Sequence, residues 1–530
     1  MRKTFIFFSI LIITGILSIT VLYKPIWILY IVFIPLVLLG YIDIIQTKKT
    51  IRRNFPIVGN LRYLLETFRP EIMQYFVETD TEGTPINRIF RSLIYQRSKG
   101  VNDTTPFGTK VDVYRIGYEW MDHSIYAKMP GDINKRPKIK IGNNDCRKPY
   151  NASLLNISAM SYGALSNNAV MAFNKGAKLG DFAHNTGEGG ISPYHLKFQG
   201  DLIWQIGTGY FGCRDKYGNF SEEIFKEKAA LESVKMIEIK VSQGAKPGHG
   251  GILPGNKNTK EIAKIRGVKP YSTIFSPPAH TAFYGPLGLI NFVKLLKEIS
   301  GKPVGFKICV GKKSEVLAIC MAMLEIGVKP DFITIDGGEG GTGAAPVEFT
   351  NSLGMPLRDG LSFMHDILSG FGIRKDIKLI ASGKILSAFH IARVIALGAD
   401  LCYSARAMMM AAGCIQALKC NENTCPAGIT TQNKSLIKGL NVEDKSKRIA
   451  SFHKETLQSF TELIAAAGID KPEKISRDII KRRVNMNAVM SYSEIYPYLE
   501  EGCLLKLDAI PKKYEKDFRE AEELLEVLDK

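Results

Sequence analysis

Eight short apolar runs, rich in β-branched residues, alternate with amphipathic stretches between residues 151 and 432. The runs end in glycine, serine or charged residues, and stretches such as Glu315–Ile326 and Ser387–Leu397 carry apolar residues at helical spacing. Alternating strands and helices indicate parallel strands with crossover helices, and eight repeats predict an α/β fold of the TIM (β/α)8 barrel type. The predicted strands are Leu154–Met160, Phe182–Thr186, Leu202–Ile206, Met236–Val241, Val304–Val310, Phe332–Asp336, Ile377–Ala381 and Leu401–Ser404.

Two long apolar runs precede this region, Thr4–Tyr23 and Ile26–Ile45, separated only by Lys24 and Pro25. Each has the ~20 residues that a helix needs to cross ~30 Å of hydrocarbon. A cleavable signal peptide is the alternative for the first run, but a second apolar run follows it instead of a cleavage site. We therefore predict that residues 1–46 form two transmembrane helices in a hairpin.

Basic residues flank the apolar pair on both outer sides, which places both ends in the cytoplasm by the positive-inside rule. They are Arg2 and Lys3 before the pair, and Lys48, Lys49, Arg52 and Arg53 after it. The sequence thus predicts a multi-pass protein of the cell membrane, in contact with membrane lipid, with its catalytic domain on the cytoplasmic side.

The remaining regions complete the predicted organisation. Residues 47–150 are expected to form a lead-in segment packing on the barrel, and residues 433–530 a helical extension ending in a solvated helix, Lys513–Lys530. A net charge of +18 comes with no recognisable nucleic-acid motif, so we expect anionic substrates or an anionic membrane rather than nucleic acid. Nine cysteines, an odd number without a paired framework, indicate a reducing compartment.

Glycine-rich segments follow five of the predicted strands, where the chemistry of such a barrel is located. Glycine exposes backbone amides and lets a planar or phosphorylated ligand approach the main chain. One such segment could be a simple turn, whereas five on one rim predict a ligand site. The segments are Ser161–Ala164, Asn185–Gly190, Gln243–Gly248, Asp336–Gly343 and Ser382–Lys384.

One further glycine segment, Gly207–Gly212, formally matches the dinucleotide-binding fingerprint after a strand. A polar turn at Lys216–Asn219 follows it, instead of a helix beginning at the third glycine. We therefore predict an insertion loop at this place, with a Rossmann unit as the weaker alternative.

Five residues separate Cys414 from Cys420, four separate Cys420 from Cys425, and Pro426 follows the last cysteine. Closely spaced thiolates suit a soft-metal centre, and a proline after the last cysteine recurs at iron–sulfur sites. Three ligands would suit a 3Fe–4S cluster, while the alternative is a helix with scattered structural cysteines.

These segments, in this order, resemble the FMN-binding synthase domain of glutamate synthase over about Asn151–Gln432. With its N-terminal hairpin, the chain is similar to the membrane-associated, stand-alone branch of that family. The resemblance implies an FMN-binding barrel at 151–432 with a 3Fe–4S cluster held by the three cysteines. The matching segments are Ser161–Ser166, Asn185–Gly190, Gln243–Gly251, Ser276–His280, Gly337–Pro346 and Cys414–Gly428.

The resemblance also implies roles for single residues. Lys246 and Arg266 would bind the two carboxylates of 2-oxoglutarate, since Arg pairs with carboxylates through two bonds and Lys acts as a point charge. Glu188 would lie between the flavin and the place where ammonia arrives. Lys307 would stabilise the anionic reduced flavin. The other residues implied for FMN are Ala159, Met160, Ser161, Gln243, Gly337, Gly338, Ser382, Gly383, Tyr403, Ser404, Ala405 and Arg406.

The implied activity is that of an oxidoreductase acting on CH–NH2 donors, converting 2-oxoglutarate and ammonia to L-glutamate through FMN. Electrons would come through the cluster from a separate ferredoxin-like or membrane-linked donor. Ammonia would need a separate source, because the chain has no N-terminal cysteine nucleophile for glutamine. Ile252 and His249 replace the Gln and Glu usual in the family. The alternatives are an FMN enzyme for another 2-oxo or 2-hydroxy acid, and an electron-transfer module of a membrane complex.

Overall fold

The computed structural model describes residues 1–101 and 104–528, with side chains described through residue 526. Residues 102–103 of the predicted lead-in segment and 529–530 of the predicted C-terminal helix lie outside the described residues. The chain divides into two compact units, Met1–Arg88 and Ile89–Lys530.

Eight parallel strands of the second unit pair in chain order and close into a barrel, with the last strand beside the first. Each of the eight predicted runs overlaps one barrel strand, which confirms the TIM barrel. The interior positions are almost entirely buried, as in the run Val304–Ile308. The strands are β1 Leu155–Ile157, β2 His184–Asn185, β3 Leu202–Ile206, β4 Val234–Lys240, β5 Val304–Ile308, β6 Phe332–Asp336, β7 Lys378–Ser382 and β8 Leu401–Ser404.

Helices follow the barrel strands. The first begins at Asn167 because the Ser166 hydroxyl accepts a hydrogen bond from the Ala169 amide and caps it. No helix begins within Gly207–Gly212, a fully described segment, which confirms the predicted insertion loop. The helices are Asn167–Gly180, Pro193–Leu196, Glu222–Ala229, Lys260–Arg266, Gly285–Ser300, Lys313–Ile326, Val347–Ser352, Leu357–Gly370, Ala388–Ala396 and Arg406–Ala411.

Short antiparallel strands lie outside the barrel, and one pair of them joins the segments before and after it. Glu119–Met121 pairs antiparallel with Ile480–Arg483, which pairs in turn with Val489–Ser491. Lys138–Ile141 pairs with Tyr150–Ser153, and Ile252–Leu253 pairs with Ile274–Phe275. The sequence predicted none of these short strands.

The C-terminal segment is largely helical. Its helices are Lys434–Ile437, Val442–Ala466, Tyr492–Ile495 and Glu515–Leu528, while Arg88–Lys99 precedes the barrel. The prediction that the last helix is solvated was wrong: it packs against Lys313–Ile326 and buries Phe518 and Ala521. Apolar residues at three-residue spacing give this charged helix a narrow apolar face.

The first unit begins with two apolar helices, Arg2–Leu22 and Tyr30–Ile45, joined by a 3-10 turn at Lys24–Leu29. The segments Arg2–Leu22 and Lys24–Ile45 have mean hydropathies of 2.6 and 2.5 and are long enough to cross a membrane. They are candidate spans by length and composition. The unit continues with Thr50–Asn54, Gly59–Ile72 and a π-helical turn, Met73–Val77.

Candidate active site

A charged cluster lies at the C-terminal rim of the barrel and contains all three residues predicted to be catalytic. Glu188 follows β2, Lys246 follows β4, and Arg266 ends the helix Lys260–Arg266. The side chains of Lys246 and Arg266 are buried, and both interact electrostatically with Glu188. Arg266 Nη2 donates to the carbonyl oxygen of Tyr162 at 3.0 Å, which fixes the guanidinium against the loop after β1.

Lys240 is a fourth member of this cluster and was not predicted from the sequence. This residue ends β4, and its Nζ lies 3.1 Å from Glu188 Oε1. A lysine two positions after Glu238 in the same strand was the available signal, because alternate residues of a barrel strand point to the same side.

A buried histidine holds the main chain at Lys240. Burial lowers the pKa of His280 to about 4, so its ring is neutral. Its Nε2 lies 2.9 Å from the carbonyl oxygen of Lys240, so Nε2 carries the proton and donates a hydrogen bond to this oxygen. The other ring nitrogen, Nδ1, accepts a hydrogen bond from the Tyr210 hydroxyl. The same hydroxyl accepts from the amides of Thr281 and Ala282. This chain of bonds fixes the end of β4.

Burial and neighbouring charges both shift the pKa values of the cluster. Burial and, to a smaller extent, the charge of Lys240 lower the pKa of Lys246 against the opposing effect of Glu188, and the net pKa is about 8. Burial likewise lowers the pKa of Arg266 to about 10. For Glu188, burial raises the pKa, but Lys240, Arg266 and Lys246 outweigh it and the net shift is downward. Three cations surround one carboxylate, and buried unbalanced charge is costly unless an anion completes the site.

Glycine loops from different strands pack main chain against main chain beside this cluster. A Cβ on Gly244 would lie 1.7 Å from the carbonyl oxygen of Gly337, and one on Gly187 would lie 2.6 Å from the Ser161 amide nitrogen. Any larger residue would push these loops apart. The glycines are therefore required for the loops to converge.

The residues expected to contact the flavin ring surround this rim. Ala159, Met160 and Ser161 follow β1, Gln243 follows β4, and Gly337 and Gly338 follow β6. Lys307 Nζ lies 3.3 Å from Asp336 Oδ2, which also accepts from the Gly244 amide at 2.9 Å. Burial lowers the pKa of Lys307, but Asp336 and other carboxylates outweigh it, so its net shift is upward and it stays charged.

The residues expected to hold the FMN phosphate lie at the ends of β7 and β8. Ser158 connects these ends, since its amide donates to the Ser404 carbonyl at 3.1 Å and its Oγ lies 3.4 Å from Ser382 Oγ. Arg406 follows Ala405 and lies near Lys384, which the sequence analysis had not selected for this role. Lys384 and Arg406, with Glu339 near both of them, line the expected phosphate cradle.

Tyr403 differs from its neighbours at the end of β8. Its ring is buried in the barrel interior near Glu238 and Thr334, so only its main chain lies with the phosphate cradle. Glu238 is itself fully buried and accepts from Asn185, Gln205 and Thr334 at 2.7–2.8 Å. This polar network fills the barrel beneath the rim.

The three predicted cluster cysteines lie on a loop that begins after the helix Arg406–Ala411. The segment Gly413–Asn433, all of it described, contains no helix, so the alternative of structural cysteines on a helix is wrong. Gln416, Leu418 and Asn423 adopt left-handed φ values of 57°, 57° and 65°. Non-glycine residues take this conformation only where the surroundings require it.

The environments of the three thiols differ. Burial, together with the nearby Cys420 and Cys425, raises the pKa of Cys414 to about 11, so this thiol favours the protonated form. Burial raises the pKa of Cys425, but donors from Thr430, Ile429 and Ala427 outweigh it, so this sulfur favours the thiolate. Among the described residues, no three His, Cys, Asp or Glu side chains converge on a single metal ion. Each thiolate of a 3Fe–4S cluster binds a different iron, so such convergence is not required.

Lys257 connects the cysteine loop to the barrel rim. It is buried, and its Nζ donates to the carbonyl oxygens of Cys420 at 2.8 Å and Ala164 at 3.2 Å. A Cβ on Gly343 would lie 3.6 Å from Cys420 Cβ. The loop therefore lies beside the glycine segments that follow β1 and β6.

Comparison with known proteins assigns this arrangement to a family. The family described as "Conserved region in glutamate synthase" matches residues 110–470. The chain is 36% identical over 511 residues to the glutamate synthase large subunit-like protein YerD of Bacillus subtilis, covering 88% of this chain and 97% of that one. It is 37% identical over 335 residues to the archaeal glutamate synthase (NADPH) of Methanocaldococcus jannaschii, covering 62% of each.

The chain belongs to the glutamate synthase family. This assignment confirms the prediction of an FMN-dependent, glutamate synthase-type oxidoreductase. The chain spans nearly the full length of YerD but only about three fifths of the archaeal-type relatives. A mutant flavocytochrome b2 with pyruvate bound superposes with a TM-score of 0.41 at 12% identity, covering 83% of this chain and 92% of that one. At that level the similarity adds nothing to the barrel topology.

Proposed function

We propose that the chain catalyses the reductive amination of 2-oxoglutarate by ammonia to L-glutamate. The observation that supports this most directly is the buried cluster in which Lys240, Lys246 and Arg266 surround the single carboxylate of Glu188. A dicarboxylate brings two negative charges, which balance the two excess positive ones. A neutral or monoanionic substrate would leave the cluster unbalanced.

Each residue of the cluster has a distinct part in this proposal. Arg266 pairs with one carboxylate through its guanidinium fork, and Lys246 holds the other as a point charge. Glu188 orders the three cations and accepts a hydrogen bond from the incoming ammonia. Ammonia adds to the keto carbon and water leaves, which gives an imine; bound FMN would supply the hydride that reduces the imine carbon, and solvent the proton that completes the amine. The residues that follow β1, β4 and β6, together with Lys307, are proposed to contact the ring of FMN. The residues that follow β7 and β8 are proposed to hold its phosphate.

The test is anaerobic turnover by the reduced protein. Addition of 2-oxoglutarate with 15N-ammonium should reoxidise the flavin and yield 15N-glutamate. Either compound alone should do neither. Reoxidation by 2-oxoglutarate without ammonium would contradict the proposed amination.

A second candidate function is oxidoreduction of another 2-oxo acid. Ile252 directly follows Gly251, at which a Cβ would lie 2.2 Å from Glu188 Oε1, so an apolar residue comes next in the chain after one that touches the charged cluster. A substrate with an apolar group in place of the second carboxylate would suit that neighbour. Competing 2-oxo acids in the turnover assay separate the two candidates, because 2-oxoglutarate should outcompete pyruvate and branched 2-oxo acids.

We also propose that Cys414, Cys420 and Cys425 bind a 3Fe–4S cluster, which would pass single electrons from a separate donor protein. Replacing any one of them by serine should abolish the cluster's paramagnetic signal, since three thiolates leave no spare ligand. Cys146→Ser and Cys503→Ser are matched controls and should keep the signal. Loss of iron in a control, with iron retained in Cys420→Ser, would overturn the assignment.

The two apolar helices of the first unit support a proposal of location. We expect them to span the cell membrane as a hairpin, with both ends on the cytoplasmic side. The one acidic residue in the second helix, Asp43, supports this, because it lies near the basic end and is paired with Arg52 at 2.8 Å. Ammonia and electrons would then reach the rim from the cytoplasm or from membrane-linked partners.

A further inference from the structure

The helix Gly59–Ile72, called the boundary helix below, carries its apolar residues along one side. They recur at helical spacing and lie within about 100° of each other around the axis. They are Leu61, Leu64, Leu65, Phe68 and Ile72, each between 41% and 54% exposed. The π-helical turn continues this surface with Tyr75 and with Phe76, which is 85% exposed. A helix with an apolar side of this size does not leave it in water.

Hydrogen bonds fix the start of the boundary helix at one end of the apolar hairpin. Asp43, near the end of the second apolar helix, is fully buried and accepts from Arg52, from the Ile57 amide at 3.0 Å and from Asn60. Arg2, at the start of the first apolar helix, donates to the Arg53 carbonyl at 2.8 Å and to Asn54. Both ends of the hairpin therefore meet the segment that leads into the boundary helix.

The charge around this segment is complementary to an anionic surface. Six basic and two acidic residues lie between positions 46 and 72. Basic residues next to a membrane-spanning segment are attracted to anionic headgroups. Arg62 and Arg69 border the apolar side of the boundary helix next to Leu65, where headgroups would contact a helix lying in the interface.

We propose that the boundary helix is an interfacial helix, lying in the cytoplasmic leaflet with its apolar side in the lipid. The proposal rests on the membrane-spanning hairpin proposed above and goes beyond it, because it assigns lipid contact to a segment too polar to span. The clamp through Asp43 and Arg2 places the helix at the level of the headgroups. Apolar side chains there enter the boundary between headgroups and acyl chains.

The experiment uses the full chain in vesicles of phosphatidylcholine with phosphatidylglycerol. Phe68, on the apolar side, is replaced by the photo-crosslinker p-benzoylphenylalanine. The matched control places the same group at Tyr63, an aromatic residue on the opposite side whose ring lies 4.2 Å from Lys49 Nζ. Illumination and mass spectrometry then identify the adducts. We expect at least about fivefold more lipid adduct at position 68 than at position 63.

Alkaline carbonate extraction of the unsubstituted chain separates the two proposals. If the protein stays in the vesicles but position 68 yields no excess of lipid adduct, the interfacial helix is wrong and the hairpin stands. Adducts to a second copy or to the rest of the chain would equally overturn lipid as the occupant. If carbonate removes the protein, the hairpin is not membrane-spanning and the inference falls with it.

Discussion

The rim of the barrel buries charge, whereas the first unit exposes apolar surface. At the rim, Lys246 and Arg266 are at most 4% exposed, although such residues are rarely buried. In the first unit, both apolar helices and one side of Gly59–Ile72 face outward. The two regions depart from ordinary burial in opposite directions, and each departure indicates the ligand that would correct it: an anion at the rim and lipid at the first unit.

Burial of a charged group does not by itself indicate a ligand site. Asp43 in the first unit is as buried as any rim residue, yet Arg52, Asn60 and the Ile57 amide satisfy it. Glu188 at the rim has more cations around it than one carboxylate can balance. A ligand is indicated where charges are buried without balance, and not where they are paired.

Removing the apolar helices should eliminate membrane binding and leave flavin binding intact. Deletion of residues 1–46 should abolish retention in membranes after carbonate extraction, because the hydrocarbon-length segments are gone. The shortened protein should remain yellow, since every residue proposed to hold FMN lies in the second unit. Flavin absorbance per protein is the measurement. Loss of flavin from an otherwise folded protein would show that the regions depend on each other.

Removing one cation from the rim should have the next largest effect. Lys246→Ala or Arg266→Ala leaves one carboxylate of 2-oxoglutarate without its partner, which costs about 2–5 kcal/mol, or roughly 30-fold to several thousand-fold in affinity. FMN should stay bound. Flavin absorbance perturbation gives the affinities.

Pyruvate is the control ligand for both variants. With a single carboxylate it should bind the unsubstituted protein weakly and respond to only one of the two substitutions. Equal affinities for pyruvate and 2-oxoglutarate in the unsubstituted protein would remove the dicarboxylate site and favour the candidate based on Ile252.

The barrel was predictable because its signal is local and repeated. Each strand is a short apolar run, and each rim glycine follows directly, so periodicity located both the fold and the converging loops. The short strand Glu119–Met121 was not predictable, because its partner Ile480–Arg483 comes after the barrel in the sequence whereas Glu119–Met121 comes before it. Its residues are mixed in polarity, and only the tertiary structure brings the two together.

Within the site, residues in glycine loops were predicted and residues in other contexts were missed. Lys246 lies between glycines, and this context indicates a ligand. Lys240 is the last residue of a strand, and a lysine at that place usually marks an exposed strand end. Lys257 shows its role only through the fold, since Cys420 is far from it in sequence. The amphipathic side of Gly59–Ile72 was readable, but the clamp at Asp43 that fixes its place was not.

The pH dependence of binding should distinguish the buried charge of the rim from an ordinary surface lysine. The pKa of Lys246 is lowered to about 8, so its ammonium is present below that pH and lost above it. The bound anion favours the protonated form, so affinity for 2-oxoglutarate should be constant below about pH 8. Above it, affinity should fall by about tenfold per pH unit. The measurement is flavin absorbance perturbation from pH 7 to 9.5.

Lys246→Arg is the control for this titration. A guanidinium keeps its charge throughout the range, so this variant should bind more weakly but without the slope. A slope that persists in Lys246→Arg would mean that another group titrates.

Salt should produce the smallest effect at the rim and a larger one at the first unit. Buried charges are screened little by salt, whereas exposed charges farther apart than a Debye length, about 10 Å at 0.1 M and 3 Å at 1 M, are screened strongly. Raising potassium chloride from about 0.05 to 0.5 M should change 2-oxoglutarate affinity by less than about threefold. The same change should reduce lipid adducts of p-benzoylphenylalanine at position 68 in anionic vesicles by a larger factor, because Arg62 is exposed to solvent. If instead 2-oxoglutarate binding fell more than tenfold while the lipid adducts were unchanged, the roles of buried and exposed charge in the two regions would be reversed.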